Sequence, residues 1–211
     1  LIDGSSYIYR AFYALPRLTG PRGMPTQAVN GFARILRKVL REKEPDYVCV
    51  VFDAPGPNFR HSLYEAYKAT RQKMPEDMAV QIPYIKDLVR CWGIPQLEVA
   101  GYEADDLIAA LTRTAREKGV DVTIVSGDKD LLQLVRDPSV RQWDPQKDKV
   151  YEEKTVEERF GVQPAHMRDY LSLVGDSTDN VPGVKGVGDK TARQLLERWK
   201  TLDNLYAHLE E

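Results

Sequence analysis

The apolar positions of this chain alternate between two periods along the sequence. Residues 47–52 and 122–125 are continuous apolar runs, which are typical of strands buried on both faces of a sheet. Residues 27–44 and 77–92 repeat apolar side chains every three to four positions, which predicts amphipathic helices that cover the sheet. Strands that alternate with helices predict an α/β fold with a mostly parallel central sheet and right-handed crossovers.

Four acidic residues follow predicted strands at the point where each strand ends. In parallel sheets, ligands bind beyond the carboxyl ends of the strands, so we expect these four side chains to meet at one edge. They are Asp3 after the opening Leu-Ile pair, Asp53 after 47–52, Glu103 after a short strand at 95–99, and Asp128 after 122–125.

The densest acidic stretch is Gly101-Tyr102-Glu103-Ala104-Asp105-Asp106, with three carboxylates in four residues. If a helix begins here, the side chains of Glu103 and Asp106 project about 60° apart on one face. One or two acids in a first helical turn are ordinary, because the free N–H groups and the helix dipole favour negative charge there. Three are harder to explain, because like charges about 4 Å apart repel by about 4 kcal/mol at an effective dielectric near 20. A divalent cation would relieve that repulsion.

The full set of acids suits a hard metal ion. Oxygen ligands without a histidine or cysteine partner favour Mg²⁺ or Mn²⁺ rather than zinc. The chemistry that such ions support is phosphoryl hydrolysis, in which paired ions lower the pKa of an attacking water. Each acid by itself is more often a helix cap or a solvated charge, so the prediction depends on their common position. The candidate ligands are Asp3, Asp53, Glu103, Asp105, Asp106, Asp128, Asp130, Asp176 and Asp179.

A basic and aromatic insertion interrupts the periodic pattern between residues 54 and 75. If this segment is helical, Lys68 and Arg71 lie on one helical face, and Tyr67 is available to stack on a base. A solvated surface helix is at least as good an interpretation of this segment taken alone.

A glycine-rich run precedes the last long predicted helix. Gly183, Gly186 and Gly188 lie in a predicted hairpin, where backbone N–H groups can approach a phosphate closely at a helix N-terminus. This pattern is a helix-hairpin-helix signal for sequence-independent contact with a nucleic-acid backbone. A purely structural αα-hairpin is the alternative, but it would not need so many glycines. Positive charge nearby comes from Lys185, Lys190, Arg193 and Arg198.

Composition narrows the class of protein without indicating a function. The 211 residues are 42% hydrophobic and 29% charged with a net charge of −2, which is ordinary for a globular protein and argues against disorder. Cys49 and Cys91 lie in apolar patterns without metal-ligand spacing, so we expect buried thiols in a reducing compartment, the cytoplasm. No apolar run approaches membrane-spanning length and no signal peptide is visible. The chain begins with Leu1 rather than Met, so we expect that part of the native N-terminus precedes it.

Taken together, these motifs resemble those of the flap endonuclease family, and most closely the 5′ nuclease (5′-3′ exonuclease) domain at the N-terminus of bacterial DNA polymerase I. The resemblance covers essentially the whole chain. It implies a PIN-like α/β core over 1–160 with a helical arch insertion at about 57–75, and a helix-hairpin-helix subdomain over 161–211. The matching motifs are Leu1-Ile2-Asp3-Gly4, Val51-Phe52-Asp53, Glu103-Ala104-Asp105-Asp106, Gly127-Asp128-Lys129-Asp130, Gly175-Asp176-Ser177-Thr178-Asp179-Asn180 and Gly183-Val184-Lys185-Gly186-Val187-Gly188.

The resemblance also implies an activity, which is metal-dependent cleavage of DNA near 5′ flap/duplex junctions in primer removal and repair. Two Mg²⁺ ions, replaceable by Mn²⁺, would be held by the acids, and a K⁺ ion would accompany the hairpin. Asp3, Asp53, Glu103 and Asp105 would mainly bind one divalent ion, Asp128, Asp130, Asp176 and Asp179 the other, and Asp106 would act through water. Lys68 and Arg71 would act at the scissile phosphate. The implied DNA contacts are Tyr67, Lys68, Arg71, Gly183, Lys185, Gly186, Gly188, Lys190 and Thr191.

Two other functions are compatible with the same residues. A PIN-domain ribonuclease shares the acidic core, although the arch-like insertion and the glycine hairpin count against it. A DNA-junction binding module could use the acids merely to hold a structural ion. For the native protein we expect a monomeric domain fused to a polymerase region.

Overall fold

A computed structural model describes residues 1–209 as an α/β core followed by a helical C-terminal region. The strands of the central sheet are β1 (Ile2–Asp3), β2 (Val50–Val51), β3 (Gln96–Leu97), β4 (Val122–Val125), β5 (Val140–Asp144) and β6 (Lys149–Tyr151). Their spatial order is β3-β2-β1-β4-β5-β6, and neighbouring strands are parallel except for the β5–β6 hairpin. The mostly parallel α/β fold predicted from the sequence is confirmed.

The α-helices of this range lie between the strands of the central sheet and, after its last strand, make up most of the C-terminal region. None of the helices within residues 1–209 is both long and apolar enough to cross a lipid bilayer. Short 3-10 helices span Pro21–Gly23, Asp130–Leu134 and Pro164–His166. The α-helices are α1 (Gly4–Ala14), α2 (Gln27–Lys43), α3 (Phe59–Leu63), α4 (Glu76–Ala79), α5 (Ile82–Cys91), α6 (Ala104–Glu117), α7 (Glu153–Phe160), α8 (Met167–Val174), α9 (Asp189–Trp199) and α10 (Leu202–Ala207).

Helices cover both faces of the sheet, as the continuous apolar strands predict. In β2, Val50 lies in a core with side chains of α1, α2 and α5, whereas its neighbour Val51 lies in a second core with side chains of α6. Successive side chains of a strand point to opposite faces, so the two valines anchor the two layers. The central strands are therefore buried on both sides, and only their ends reach solvent.

Two predicted elements are divided or shortened. The helix expected over 77–92 is two helices, α4 and α5. Pro83 has no N–H to donate, and the structure accommodates it in the first turn of α5, where that donor has no helical partner. The strand expected over 47–52 pairs with its neighbours only at Val50–Val51.

The two cysteines differ in exposure. Cys49 is half-buried, whereas Cys91 is exposed, so the expectation of a buried thiol is wrong for Cys91. The buried stripe of α5 runs through Ile85 and Val89. Cys91 comes two positions after Val89, so its side chain is turned by about 200° from the buried stripe and lies on the exposed side of the helix.

The basic insertion is only partly helical. After the five-residue helix α3, the chain from Tyr64 onward forms successive turns, in which Tyr67 N–H donates to the carbonyl of Tyr64 and Arg71 N–H to that of Lys68. Lys68 has a φ of 56°, in the left-handed region. The helix on which Lys68 and Arg71 would share one face is therefore not formed, and turns bring both side chains to Asp179 instead.

The C-terminal region is built on a hairpin between two helices. The strands β7 (Gly175–Asp176) and β8 (Val181–Pro182) pair antiparallel between α8 and α9. Gly183 follows β8 and lies so close to the end of α8 that a Cβ on it would be 2.4 Å from the carbonyl carbon of Val174. This close approach explains one of the glycines of the run, because no larger residue fits there.

We expect Gly183→Ala to lower the free energy of unfolding by about 1–3 kcal/mol, because the new methyl group meets backbone that must shift. The measurement is urea unfolding followed by circular dichroism. Gly188→Ala is the matched control, since a Cβ on Gly188 would meet nothing within 4 Å. Equal losses for the two variants would contradict the steric explanation.

Candidate active site

The first acidic residue, Asp3, caps a helix and is buried at the strand tip. Its Oδ1 accepts a hydrogen bond from Ser6 N–H at 3.0 Å, which makes it the N-cap of α1, and its Oδ2 accepts from Ser126 Oγ at 2.7 Å. Asp3 is 3% exposed, and burial is the main cause that raises its pKa to about 6. The negative charges of Asp128 and Asp53 raise the pKa further. The sheet thus brings three of the predicted ligands into electrostatic contact.

The start of α6 holds the densest acids in a capping arrangement. Glu103 is the N-cap residue, and Asp106 Oδ2 accepts a hydrogen bond from Glu103 N–H at 3.0 Å. Asp53 Oδ1 accepts from Ala104 N–H at 2.7 Å, which joins the tip of β2 to the same helix end. The ordinary capping role therefore applies to Asp106 and Asp53. It does not account for Asp105, which takes no part in these bonds.

Asp105 is the electrostatic centre of the cluster. Desolvation, followed by the negative charges of neighbouring acids, raises its pKa well above the ordinary value for aspartate. Such mutual repulsion at a sheet edge is typical of a site that binds cations or donates a proton. The neighbouring acids are Asp3, Asp128, Asp53 and Asp130.

The loop after β4 carries Asp128 and Asp130 and is held by polar side chains that sequence reasoning missed. Ser126 Oγ accepts from Asp128 N–H at 3.1 Å, and the Gln142 amide donates to the carbonyls of Ser126 and Asp128 at 3.0 and 2.7 Å. Burial raises the pKa of Asp130 to about 6, with Asp128 as the next cause. The β5 sequence Val-Arg-Gln-Trp-Asp is itself largely polar, so nothing in the pattern could have identified Gln142.

The two acids of the C-terminal hairpin pair with basic side chains. Asp176 Oδ2 lies 2.9 Å from Lys129 Nζ. Burial alone would raise the pKa of Asp176, but the hydrogen bond from Lys129 and those from backbone N–H groups lower it. Asp179 Oδ1 lies 2.6 Å from Arg71 Nη2, so the hairpin also contacts the insertion.

The insertion closes over the acids through three side chains. Lys68 Nζ lies 2.5 Å from Glu103 Oε1 and 3.7 Å from Asp179 Oδ2. The Tyr67 hydroxyl donates toward the same two carboxylates, each at 3.0 Å at its nearest oxygen. Burial first, and then these two negative charges, raise the pKa of Tyr67, so its hydroxyl keeps its proton. Tyr67, Lys68 and Arg71 therefore contact the acids directly.

Two further residues of the insertion reach the start of α6. Arg60 forms a bidentate pair with Asp106, with N–O distances of 2.8 and 2.7 Å, and Asn58 Nδ2 donates to Glu103 Oε1 at 2.6 Å. Sequence reasoning gave neither residue a role at the site. Asn58 is the N-cap of α3 and Arg60 lies in its first turn, but neither position carried a signal, because the contacts span more than 40 residues of sequence.

The donor set fits a hard divalent cation in its chemistry. It consists of carboxylates, and Asp130 Oδ1 is buried without a hydrogen-bond partner. As placed, however, no group of three acidic, histidine or cysteine side chains within residues 1–209 has an arrangement that could hold a metal ion. Glu103 and Asp179 are engaged by Lys68 and Arg71 instead. Ligation by these two acids therefore requires the basic side chains to move.

The glycine run presents an exposed basic surface at the start of α9. Gly188 is the N-cap residue of α9, and Gly186 has a φ of 83°. Lys185, Lys190 and Thr191 are exposed in the same stretch. Free N–H groups at a helix N-terminus with lysines beside them can bind a phosphate.

Comparison with known proteins decides the family. The model of the 5′-3′ exonuclease N-terminal resolvase-like domain matches residues 1–161, and that of the 5′-3′ exonuclease C-terminal SAM fold matches residues 162–211. The chain belongs to the 5′-3′ exonuclease family. The predicted family and its nuclease activity are thereby confirmed.

Relatives in the family are of two lengths. A 5′-3′ exonuclease of Aquifex aeolicus is 46% identical over 211 residues, which cover the whole chain and 73% of that protein. The thermostable DNA polymerase I of Thermus aquaticus is 47% identical over 210 residues, again covering the whole chain but 25% of the polymerase. The chain thus spans about a quarter of the length of that DNA polymerase I relative.

Solved structures share the fold at low sequence identity. The T5 5′-exonuclease with bound divalent metal ions (zinc) has a TM-score of 0.80 at 20% identity, covering 99% of this chain and 78% of that one. The catalytic core of Rad2 in complex with DNA substrate has a TM-score of 0.63 at 22% identity, covering 97% and 61%. Both proteins therefore share the fold of this chain; the first was crystallised with divalent metal ions and the second with DNA substrate.

Proposed function

We propose that this chain hydrolyses phosphodiester bonds of DNA near the junction of a 5′ flap with a duplex, as a 5′-3′ exonuclease and flap endonuclease of primer removal and repair. The observation that carries the proposal is the carboxylate cluster at the sheet edge, where burial and then four neighbouring acids raise the pKa of Asp105. Such a cluster is stable in its ionised form when cations balance it. Membership of the 5′-3′ exonuclease family supports nuclease chemistry at this place.

Two divalent cations, Mg²⁺ or in its place Mn²⁺, are the proposed partners of the cluster. When bound, such ions lower the pKa of a water and stabilise the entering and leaving oxygens of the phosphate. Hydrogen bonds at Asp3 and Asp53 fix two of the ligands before any ion binds. Asp106, held by Arg60, is proposed to act through water. The proposed ligands are Asp3, Asp53, Glu103 and Asp105 for one ion, and Asp128, Asp130, Asp176 and Asp179 for the other.

Lys68 and Arg71 are proposed to act at the scissile phosphate. Both are paired with carboxylates that are proposed metal ligands, Glu103 and Asp179. A cation that binds these carboxylates releases the two basic groups for another anion, and a phosphate is the anion that suits an arginine and a lysine side by side. Tyr67 contacts the same carboxylates and is proposed to meet DNA in the same exchange.

The C-terminal region, 161–211 in the proposed division from the 1–160 core, is proposed to hold duplex DNA. The exposed stretch before and in the first turn of α9 offers main-chain N–H groups and two lysines, with a K⁺ ion proposed at main-chain carbonyls of the hairpin. Gly183 serves this surface indirectly, by allowing the hairpin to approach α8. The proposed contacts are Gly183, Lys185, Gly186, Gly188, Lys190 and Thr191.

Lys185→Ala is expected to weaken binding to a flap duplex and to lower the slope of log K against log salt by about 1, since one phosphate contact is lost. Fluorescence anisotropy at several salt concentrations in Ca²⁺ or EDTA measures the slope. Lys118→Ala is the control, because Lys118 is an exposed lysine at the opposite end of the α6 helix from the acids. An unchanged slope in Lys185→Ala would remove this residue from the phosphate contacts.

Cleavage of a 5′-labelled flap duplex with Mg²⁺, and with EDTA in its place, tests the proposed function. Short labelled products that require the metal support it. Metal-dependent cutting of single-stranded RNA without cutting of flap DNA would indicate a ribonuclease instead. Tight junction binding with no cutting in Mg²⁺ or Mn²⁺ would indicate a binding module.

The domain is proposed to act as a monomer, and its polymerase relatives support the further proposal that a polymerase region accompanies it in the native protein. Light scattering of the purified chain measures the oligomeric state. A dimer that persists at nanomolar concentration would contradict the first of these proposals.

A further inference from the structure

An arginine outside the acidic cluster lies against the loop that carries Asp128. Arg10 extends from α1, and its Nη1 is 3.0 Å from Asp144 Oδ2 and 3.2 Å from Gln146 Oε1. The Asp144 side chain is 1% exposed, so this ion pair anchors the guanidinium at a fixed place beside the end of β5. Moving the guanidinium away would leave the buried Asp144 carboxylate without its partner charge, and this cost keeps Arg10 in place.

The anchored guanidinium occupies the space that a side chain at Gly127 would need. A Cβ built on Gly127 would lie 2.0 Å from Arg10 Nη2 and 2.2 Å from its Cζ. Gly127 does not have the positive φ that calls for glycine at other positions of the chain. The glycine at this position is therefore explained by Arg10 and not by the conformation of the backbone.

Gly127 lies between two residues that belong to the acidic cluster. Ser126 Oγ donates to Asp3 and accepts from Asp128 N–H. The side chain of Gln142, on β5, donates to the carbonyls of Ser126 and Asp128, on either side of Gly127. The Arg10 guanidinium lies directly beside the Cα of Gly127, where a side chain would project, so α1 as well as β5 packs against this short loop.

We propose that Arg10 is a positioning residue, which together with Asp144 fixes the Gly127 peptide and thereby sets the place of Asp128 relative to Asp3 and Asp105. The inference rests on the proposed function, because Asp3 and Asp128 are proposed metal ligands there. Residues that contact metal ligands and orient them change the metal affinity without contacting the ion themselves. Arg10 acts in this way through the backbone and makes no contact with substrate.

Mn²⁺ binding to the full chain without DNA, followed by electron paramagnetic resonance, is the primary measurement. Arg10→Ala is expected to weaken Mn²⁺ affinity about 10-fold, the lower end of the range for residues that support a metal ligand. In flap cleavage, kcat falls while KM stays within about 2-fold, because the DNA contacts lie elsewhere. Arg41→Ala is the control, since Arg41 is an exposed, ion-paired arginine on α2.

A double-mutant cycle separates positioning of this loop from a general structural role. Gly127→Ala alone is expected to weaken Mn²⁺ affinity, because its methyl group conflicts with the anchored guanidinium. In the Arg10→Ala background the same substitution meets open space, so its further effect is expected to be small. If Arg10→Ala fails to fold, Gly127→Ala and Arg10→Lys still test the inference, with Arg10→Lys expected to fold but to bind Mn²⁺ more weakly.

The outcomes separate this inference from the proposed function. If the wild-type chain binds Mn²⁺ and cleaves the flap, and Arg10→Ala binds Mn²⁺ with the same affinity, the positioning role alone is overturned. Additive effects of Arg10→Ala and Gly127→Ala would overturn it as well. A wild-type chain that neither binds Mn²⁺ nor cleaves would overturn the proposed metal centre, and the role of Arg10 with it.

Discussion

Asp105→Asn is expected to lower flap cleavage in Mg²⁺ by more than about 100-fold while flap binding in EDTA is retained. Residues that contact a metal ligand, but not the ion, already change activity by about 10- to 100-fold when they are mutated. Loss of the central carboxylate is therefore expected to have at least that effect. Single-turnover cleavage and anisotropy measure the two quantities on the same duplex.

The same substitution is expected to raise the midpoint of thermal unfolding in EDTA at pH 7.5. Burial and the charges of Asp3, Asp128, Asp53 and Asp130 disfavour the ionised form of Asp105 in the folded chain, and an asparagine, which does not ionise, avoids that cost. Each kcal/mol of relieved repulsion is worth about 2–4 °C in a chain of this size. Asp46→Asn is the control, because Asp46 is exposed and is not among the charges that act on Asp105. Lost activity together with a lower midpoint would indicate damage to the fold and contradict the interpretation.

The metal-free protein is expected to lose stability as the pH rises from about 4 to about 6. Asp3 and Asp130 have pKa values near 6 in the folded chain, against an ordinary value of 3.8. The folded state therefore binds protons more tightly than the unfolded state. The stability from this difference is fully present below pH 3.8 and is lost as the pH passes through 6. A shift of roughly two pKa units corresponds to about 3 kcal/mol for each group.

Two other acids of the same site change the stability in the opposite direction, and in a different pH range. Salt bridges and hydrogen bonds from Arg60 and Lys129 lower the pKa values of Asp106 and Asp176, although burial opposes this. Their contribution is present above the unfolded pKa and is lost only as the pH falls below about 4. The loss of stability between pH 4 and 6 is therefore due to the buried acids Asp3 and Asp130.

Urea unfolding in EDTA from pH 4 to 7, repeated with saturating Mg²⁺, measures this effect. The cation is expected to reverse the loss, because it binds the ionised carboxylates of the folded chain. Asp130→Asn should remove part of the dependence, whereas Asp46→Asn should leave it intact. A metal-free stability that is flat or rises between pH 4 and 6 would contradict the expected proton linkage.

The sequence predicted the elements of the site better than their contacts. The alternation of apolar strands with amphipathic helices correctly indicated the parallel sheet, and the acids at the strand ends Asp3, Asp53 and Asp128 do interact. The turn conformation that carries Lys68 was not predictable, because a left-handed φ at a lysine has no periodic signature. The pairing of Lys68 with Glu103, across 35 residues, leaves no local pattern either.

By itself, the sequence determined the fold class and the edge of the sheet at which the acids collect. Each of these follows from a short-range period or from the rule that parallel strands end at a common edge. Only the tertiary structure decided which acids are shielded and which are paired, and that Arg10 fills the place of a side chain at Gly127. Those facts depend on distances between elements far apart in the chain, which local patterns of hydrophobic and polar residues do not encode.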